Sequence, residues 1–405
     1  PTWELATGRN GGVAFSGTFT RWEPIAGDLG TLQTVEAEAQ TKVYSSYTWK
    51  NLLALCTAWS TNDLTIRSRV GAGNGTMLVT VNGTGTFQDT VNSDSLVDGN
   101  LINWQFSRSV GGSTTLRIVG SNLQDTTTNT ILECANDIGA AGEDFGVTQY
   151  TGLTGQVAQA GGVGMDSTEA NTQYTIRTAK TYSNLRAYVS SNTLDGATTW
   201  RFRVDVGNGS QSVSIGAGTT GAFEDTTNSD AVASGSEVNY QLDTTASTLG
   251  VIAIVLAQVK HISTGREMAV GTSDAGGSTV DIYWGPEADS GTSTATETQV
   301  QLAARAAFTA KNLFVNVRTH GAAASDIFFR KNTANSALTV NVPSSSTGLF
   351  EDTTNQVSIA VADLYNYFRD GAGESIIINI IGFEQAPDDV ILDLPGNRLN
   401  VLLRL

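Results

Sequence analysis

Apolar and polar residues alternate with a period of two along much of the chain. The clearest run is 199–206, where Trp200, Phe202 and Val204 alternate with Thr and Arg. That period sets one row of side chains on one face of a strand. Such runs recur about every 8–12 residues between turns of Gly, Ser, Thr and Asn, the pattern of an antiparallel sandwich or barrel. Asn74-Gly75 and Asn208-Gly209 predict hairpin turns, because both residue types tolerate positive φ. Only 358–369 reads as helical.

The pattern also repeats on a longer scale. Gly85-Thr-Phe87-Gln-Asp89-Thr90-Val-Asn92-Ser-Asp94 returns as Gly221-Ala-Phe223-Glu-Asp225-Thr226-Thr-Asn228-Ser-Asp230 and as Gly348-Leu-Phe350-Glu-Asp352-Thr353-Thr-Asn355. Eleven residues after each Asn comes an Asn-aromatic pair: Asn103-Trp104, Asn239-Tyr240 and Asn366-Tyr367. Upstream lie Asn51-Leu52, Asn184-Leu185 and Asn312-Leu313. The motif phenylalanines are 136 and 127 residues apart (223 − 87 and 350 − 223). That is the length of a domain and far beyond a solenoid repeat of about 20–50 residues. Each copy holds about eight strand candidates and ends in an apolar strand (115–119, 249–257, 375–381), which suits two packed four-stranded sheets.

The expected fold is therefore all-β: three tandem jelly-roll-like sandwiches, with an immunoglobulin-like sandwich as the second choice. The expected units are 1–140, with residues 1–11 as an extended arm, then 141–263 and 264–385. Small polar stretches at 139–144 and 263–266 mark the breaks. Residues 386–405 form a separate apolar arm. Its Val390, Ile391, Leu392, Leu399, Val401, Leu402, Leu403 and Leu405 are the candidate assembly residues. Three similar units in one chain could imitate a trimer, so packing around a pseudo-threefold axis is expected rather than beads on a string.

Composition narrows the function. The chain has 405 residues, 15% of them charged, and a net charge of −16. Low charge with 7 Trp, 10 Tyr and 14 Phe excludes a disordered chain. The acidic balance disfavours nucleic acid and anionic lipid as partners. The longest apolar run, 249–257, is about half of what a membrane-spanning helix needs. Pro-Thr-Trp-Glu-Leu has neither the basic nor the apolar region of an export signal. Cys56 and Cys134 are read as buried free thiols of a protein made in a reducing compartment.

Candidate chemistry is sparse. Asp89, Asn92, Asp94, Asp225, Asn228, Asp230, Asp352 and Asn355 could supply oxygens to Ca²⁺. The favoured reading is a turn, in which Asp and Asn bond nearby backbone N–H groups and the Phe anchors the loop. Copy three has Val357 where the others have Asp94 and Asp230, which supports the turn. Arg69, Arg203 and Arg330 recur at one strand position; they could clamp a carboxylate on a partner, but the favoured reading is a solvated sheet face or a pair with a local acid, such as the motif Asp. His261 and His320 lack metal-ligand spacing, and no nucleophile elbow or phosphate-binding Gly motif is present. No catalytic residue, cofactor or resident metal is assigned. Trp22, Trp49, Trp59 and Trp284 could stack sugars if exposed.

Tandem β-sandwich units with Phe-x-Asp-Thr-Thr-Asn, then Gly and Asn-Tyr, resemble structural proteins of tailed bacteriophages, namely head-decoration and tail-associated proteins. The resemblance spans most of residues 40–385 and departs from the pattern at 356–362. It implies a non-enzymatic virion protein. Its partners would be other capsid or tail proteins and further copies of itself. The rival readings are a tail-fibre adhesin that grips host glycans, and a tail glycosidase or lyase.

Overall fold

The computed structural model describes residues 1–30, 32–125, 127–136, 143–153, 157–159, 162–271, 276–277, 281–286, 293–370 and 375–388. The candidate assembly residues between 390 and 405 lie outside these. Among the described residues there is no α-helix, and the helical turns are three short 3₁₀ segments, Glu36–Ala39, Glu169–Asn171 and Glu297–Gln299.

The six five-stranded sheets draw their strands from three successive stretches, 2–125, 130–262 and 266–387. Eight principal strands recur in each, called first to eighth below. The first strands are Thr2–Ser16, Thr130–Asn136 and Arg266–Gly271. The third are Tyr47–Trp59, Lys180–Asn192 and Phe308–His320, and the sixth are Gly85–Leu96, Gly221–Val232 and Gly348–Ile359. In the first stretch the second, fourth, fifth, seventh and eighth are Phe19–Glu23, Leu64–Val70, Gly73–Val81, Leu101–Arg108 and Ser113–Asp125, and in every stretch one sheet runs first–eighth–third–sixth and the other second–seventh–fourth–fifth. That is the strand order of a jelly roll, two antiparallel sheets joined by strands that alternate between them.

Alternation explains the burial. Trp200 and Phe202 are fully buried between the sheets, while the intervening Arg201 is half-buried. Trp49 packs against Trp104 with ring centres 4.5 Å apart in the first unit, and Trp200 against Tyr240 at 5.1 Å in the second, both pairs tilted. Trp3, Trp49, Trp104, Trp200 and Trp284 are core residues. Trp49 and Trp284 are therefore not sugar platforms, and Trp22 and Trp59 are half-buried.

Four expectations are corrected. Residues 1–11 are not a free arm, because the strand Thr2–Ser16 pairs with Ser113–Asp125 inside the first unit. The first unit ends near Asp125 rather than 140, since Thr130–Asn136 pairs with Val251–Ile262. The hairpin turns precede the Asn-Gly pairs by about one turn: Arg69 pairs with Asn74 and Val70 with Gly73, leaving Gly71 (φ 60°) and Ala72 at the tip. In the other copies Asp205 (φ 54°) and Asn332 (φ 49°) supply the left-handed residue. The stretch 358–369 is no helix but the end of Gly348–Ile359, a turn, and the strand Leu364–Arg369. Ala362 holds φ 71° where Gly99 and Gly235 sit in the other copies. The missing glycine is what made this stretch read as helical.

Candidate assembly site: motif bulges and a closed ring of contacts

The two landmarks of each repeat face each other across the sheet. Leu52 pairs with Asp89 and Lys50 with Ser93, so residues 90–92 bulge opposite Asn51 alone. The same shift occurs at Leu185/Asp225 and Leu313/Asp352. The opposing Asn51, Asn184 and Asn312 all take the left-handed conformation, at φ 59°, 58° and 53°. Asn tolerates that conformation better than most residues do.

The motif Asp closes the bulge. Asp225 Oδ1 accepts from the N–H groups of Thr227 and Asn228, both at 3.1 Å. Its Oδ2 accepts from Asn228 Nδ2 at 2.9 Å and Ser212 N–H at 3.0 Å. Asp89 and Asp352 repeat the set with Asn92 and Asn355. Burial opposes the charge of Asp225, but these hydrogen bonds outweigh it and hold the carboxyl at about 2. Asp352 is likewise lowered to about 2, and Asp89 is lowered. The oxygens that a cation would need are aimed at N–H donors, so this geometry favours the turn. Among the described residues no three His, Cys, Asp or Glu side chains cluster as a metal site would require.

Asp94 and Asp230 do a different job. Asp94 accepts from Ser68 Oγ at 2.5 Å and Thr76 N–H at 2.7 Å, on the neighbouring sheet. A Cβ at Gly75 would meet Asp94 Oδ2 at 2.5 Å, and one at Gly209 would meet Asp230 Oδ2 at 2.8 Å. In copy three the Asp becomes Val357 and the glycine becomes Ser336, whose Oγ donates instead to the Phe329 carbonyl at 2.7 Å. The two positions change together because they share one space.

The recurring arginines pair with glutamates of the 3₁₀ turns and not with the motif Asp. Arg203 Nε and Nη2 donate to Glu169 Oε1 and Oε2, both at 2.8 Å, and its Nη1 contacts Asn208 Oδ1. Arg69–Glu36–Asn74 and Arg330–Glu297–Asn335 are the same fork. Each glutamate lies 15 residues before the left-handed Asn, a spacing the sequence displays but sequence reasoning passed over.

These 3₁₀ turns also begin the contacts between units. From the first unit, Lys42 Nζ and Tyr44 Oη reach Glu224 of the second, each at 2.8 Å. Gln258 of the second unit caps the Lys42 backbone, accepting from its N–H at 3.0 Å and donating to its carbonyl. Arg186 donates to the Gln40 carbonyl at 2.9 Å. From the second unit, Ala170 and Gln173 carbonyls accept from Asn316 Nδ2 of the third at 2.9 and 3.3 Å. Phe314 stacks on Tyr174 at 6.0 Å, and Arg177 pairs with Glu351. From the third unit back to the first, the Arg305 and Ala306 N–H groups donate to Glu4 Oε1 at 2.9 Å, and Gln299 accepts from Arg117 at 2.7 Å. Leu53, Leu55 and Ile118 of the first unit join the apolar core of the third.

Equivalent positions make these contacts. Tyr44, Arg177 and Arg305 all lie seven residues before the left-handed Asn. The three interfaces run in one direction and close into a ring, the pseudo-threefold arrangement expected of an imitated trimer. Near its centre Arg266 of the third unit donates to the Glu4 carbonyl at 2.7 Å and lies 3.3 Å from Glu133 of the second. Glu133 also meets His261 Nε2 at 3.0 Å. All three side chains are fully buried. Burial raises the carboxyl of Glu133, with Arg266 and Lys180 opposing. Burial, then the Lys180 and Arg266 charges, push His261 far below its ordinary range, so its ring is neutral.

Cys56 and Cys134 are buried, and neither forms a disulfide. His320 is bonded locally to the Pro343 carbonyl and Ser325 Oγ. No protein-family model matches the chain, and no curated protein sequence matches it.

Proposed function

We propose that the chain is a non-enzymatic structural protein of a tailed-phage virion, working as a covalent stand-in for a trimer. The observation that carries this reading is the closed ring. Three jelly rolls use equivalent strands, turns and side-chain positions to bind one another head to tail. A homotrimer closes by the same geometry. Joining three copies in one chain lets each interface acquire its own chemistry while the threefold outline is kept, which suits a place on a symmetric particle. The resemblance of the Phe-x-Asp-Thr-x-Asn units to phage head and tail proteins supplies the rest.

The apolar C-terminal segment, with Val390, Ile391, Leu392, Leu399, Val401, Leu402, Leu403 and Leu405, is the proposed attachment to other virion subunits or to further copies. Light scattering of the full chain and of a chain ending at Asp388 tests this. The reading expects an oligomer that falls to monomer on truncation, with the truncated chain still folded. A monomer in both cases would remove the attachment role.

A further inference from the structure

The interface between the second and third units holds a buried lysine–glutamate contact that its sister interfaces lack. Lys180 Nζ touches Glu267 Oε2 and donates to the Gly265 carbonyl at 3.0 Å. The two side chains are 0% and 1% exposed. Lys180 lies four residues before Asn184, where the first and third units have Tyr47 and Phe308. Glu267 pairs across the sheet with Glu384, and Leu132 holds that position in the second unit, opposite Lys260. The first interface therefore sets Tyr47 against the strand of Leu132, with Tyr47 Oη donating to the Thr130 carbonyl at 3.2 Å. The third sets Phe308 against the strand of Glu4, whose carboxylate is taken by Arg305.

The fold thus accepts an apolar side chain where Lys180 stands. A dry ammonium–carboxylate pair is costly to desolvate, and an apolar replacement is often no less stable. Charge at this point calls for another reason. The surroundings hold the pair tightly. Glu267 Oε1 accepts from Arg177 N–H at 3.2 Å. Glu384, opposite in the sheet, is fixed by Thr178 Oγ1 and Asn312 Nδ2, both at 2.7 Å. Burial raises the Glu267 carboxyl above its ordinary value, with Lys180 opposing, which favours the neutral acid that an amine can attack.

We propose that Lys180 and Glu267 are joined by an isopeptide bond, a covalent clasp between the second and third units. One proton passes from Nζ to the carboxylate, giving a neutral amine and a neutral acid. Nζ attacks Cδ of Glu267 and a C–N bond forms. The nitrogen loses a second proton, the C–O bond breaks, and that oxygen leaves as water. The product is an amide and one water, with no oxidant or external donor. The amide removes both charges from the dry interface and leaves its N–H beside the Gly265 carbonyl.

Intact-mass measurement of the purified full chain tests the clasp. The expected mass is lower than the sequence mass by one water, about 18 Da. Digestion should give a branched peptide joining Lys180 to Glu267. Lys180→Arg should restore the full mass and change mobility on a boiled denaturing gel. A wild-type mass equal to the sequence mass would overturn the proposal, and so would a water loss mapped to any other pair of residues.

Discussion

The first and second interfaces of the ring use the same backbone positions and opposite chemistry. Two residues past the left-handed Asn, the second unit presents Arg186 to the first, whereas the third presents Phe314 to the second. On the adjacent strand Gln258 faces the Lys42 backbone, and its counterpart is Gly382, where a Cβ would come within 2.5 Å of the Phe314 ring. One interface is closed by hydrogen bonds to main chain, the other by a ring laid where no side chain fits. A chain of three interchangeable units could close in a wrong order. Units with mismatched faces cannot, because a wrong pairing would bury Arg186 without a partner or press Phe314 against Gln258.

Breaking the apolar interface should have the larger effect. Phe314→Ala removes a fully buried ring and should cost about 3–5 kcal/mol in denaturant unfolding. Gln258→Ala leaves the Lys42 N–H and carbonyl unpaired at the polar interface and should cost about 1–3 kcal/mol. Equal losses would mean that the two interfaces do not differ as described.

A smaller effect sharpens the comparison between copies one and three. Gly75→Ala pushes a methyl group into Asp94 and Ser68 and should cost about 1–3 kcal/mol. Adding Asp94→Val, the copy-three solution, should make the double variant less unstable than the sum of the singles. Strict additivity would show that the two positions do not share space.

The smallest effect is on pH. Asp225 and Asp352 have folded values near 2, below the unfolded value of about 3.9. Their contribution is complete above about pH 4 and is lost as pH falls through about 2. Asp225→Asn should flatten that acid limb of the stability curve while leaving neutral-pH folding intact. A limb of unchanged slope would count against the carboxylate as the element that closes the bulge.

The repeats and the all-β sandwich architecture were legible because alternation and motif spacing are local properties of the chain. The bulge was half legible. The motif Asp and its turn could be read, but not that Asn51 faces it, since cross-strand pairing is a long-range fact. The Arg–Glu forks were missed although Glu36, Glu169 and Glu297 keep a constant spacing. Leu364–Arg369 was misread because Ala362 adopts positive φ where glycine would have announced a turn. The inter-unit contacts were least legible. Leu53, Arg186 and Phe314 occupy one position with three chemistries, so no shared residue type marks the interface.

The central claim is that the three units close on one another. Small-angle scattering of the chain ending at Asp388, the form expected to be monomeric, tests it directly. A closed ring should give a radius of gyration near that of a compact globule of that length, about 21 Å. Three sandwiches strung end to end would give about 30 Å or more, and that result would contradict the account.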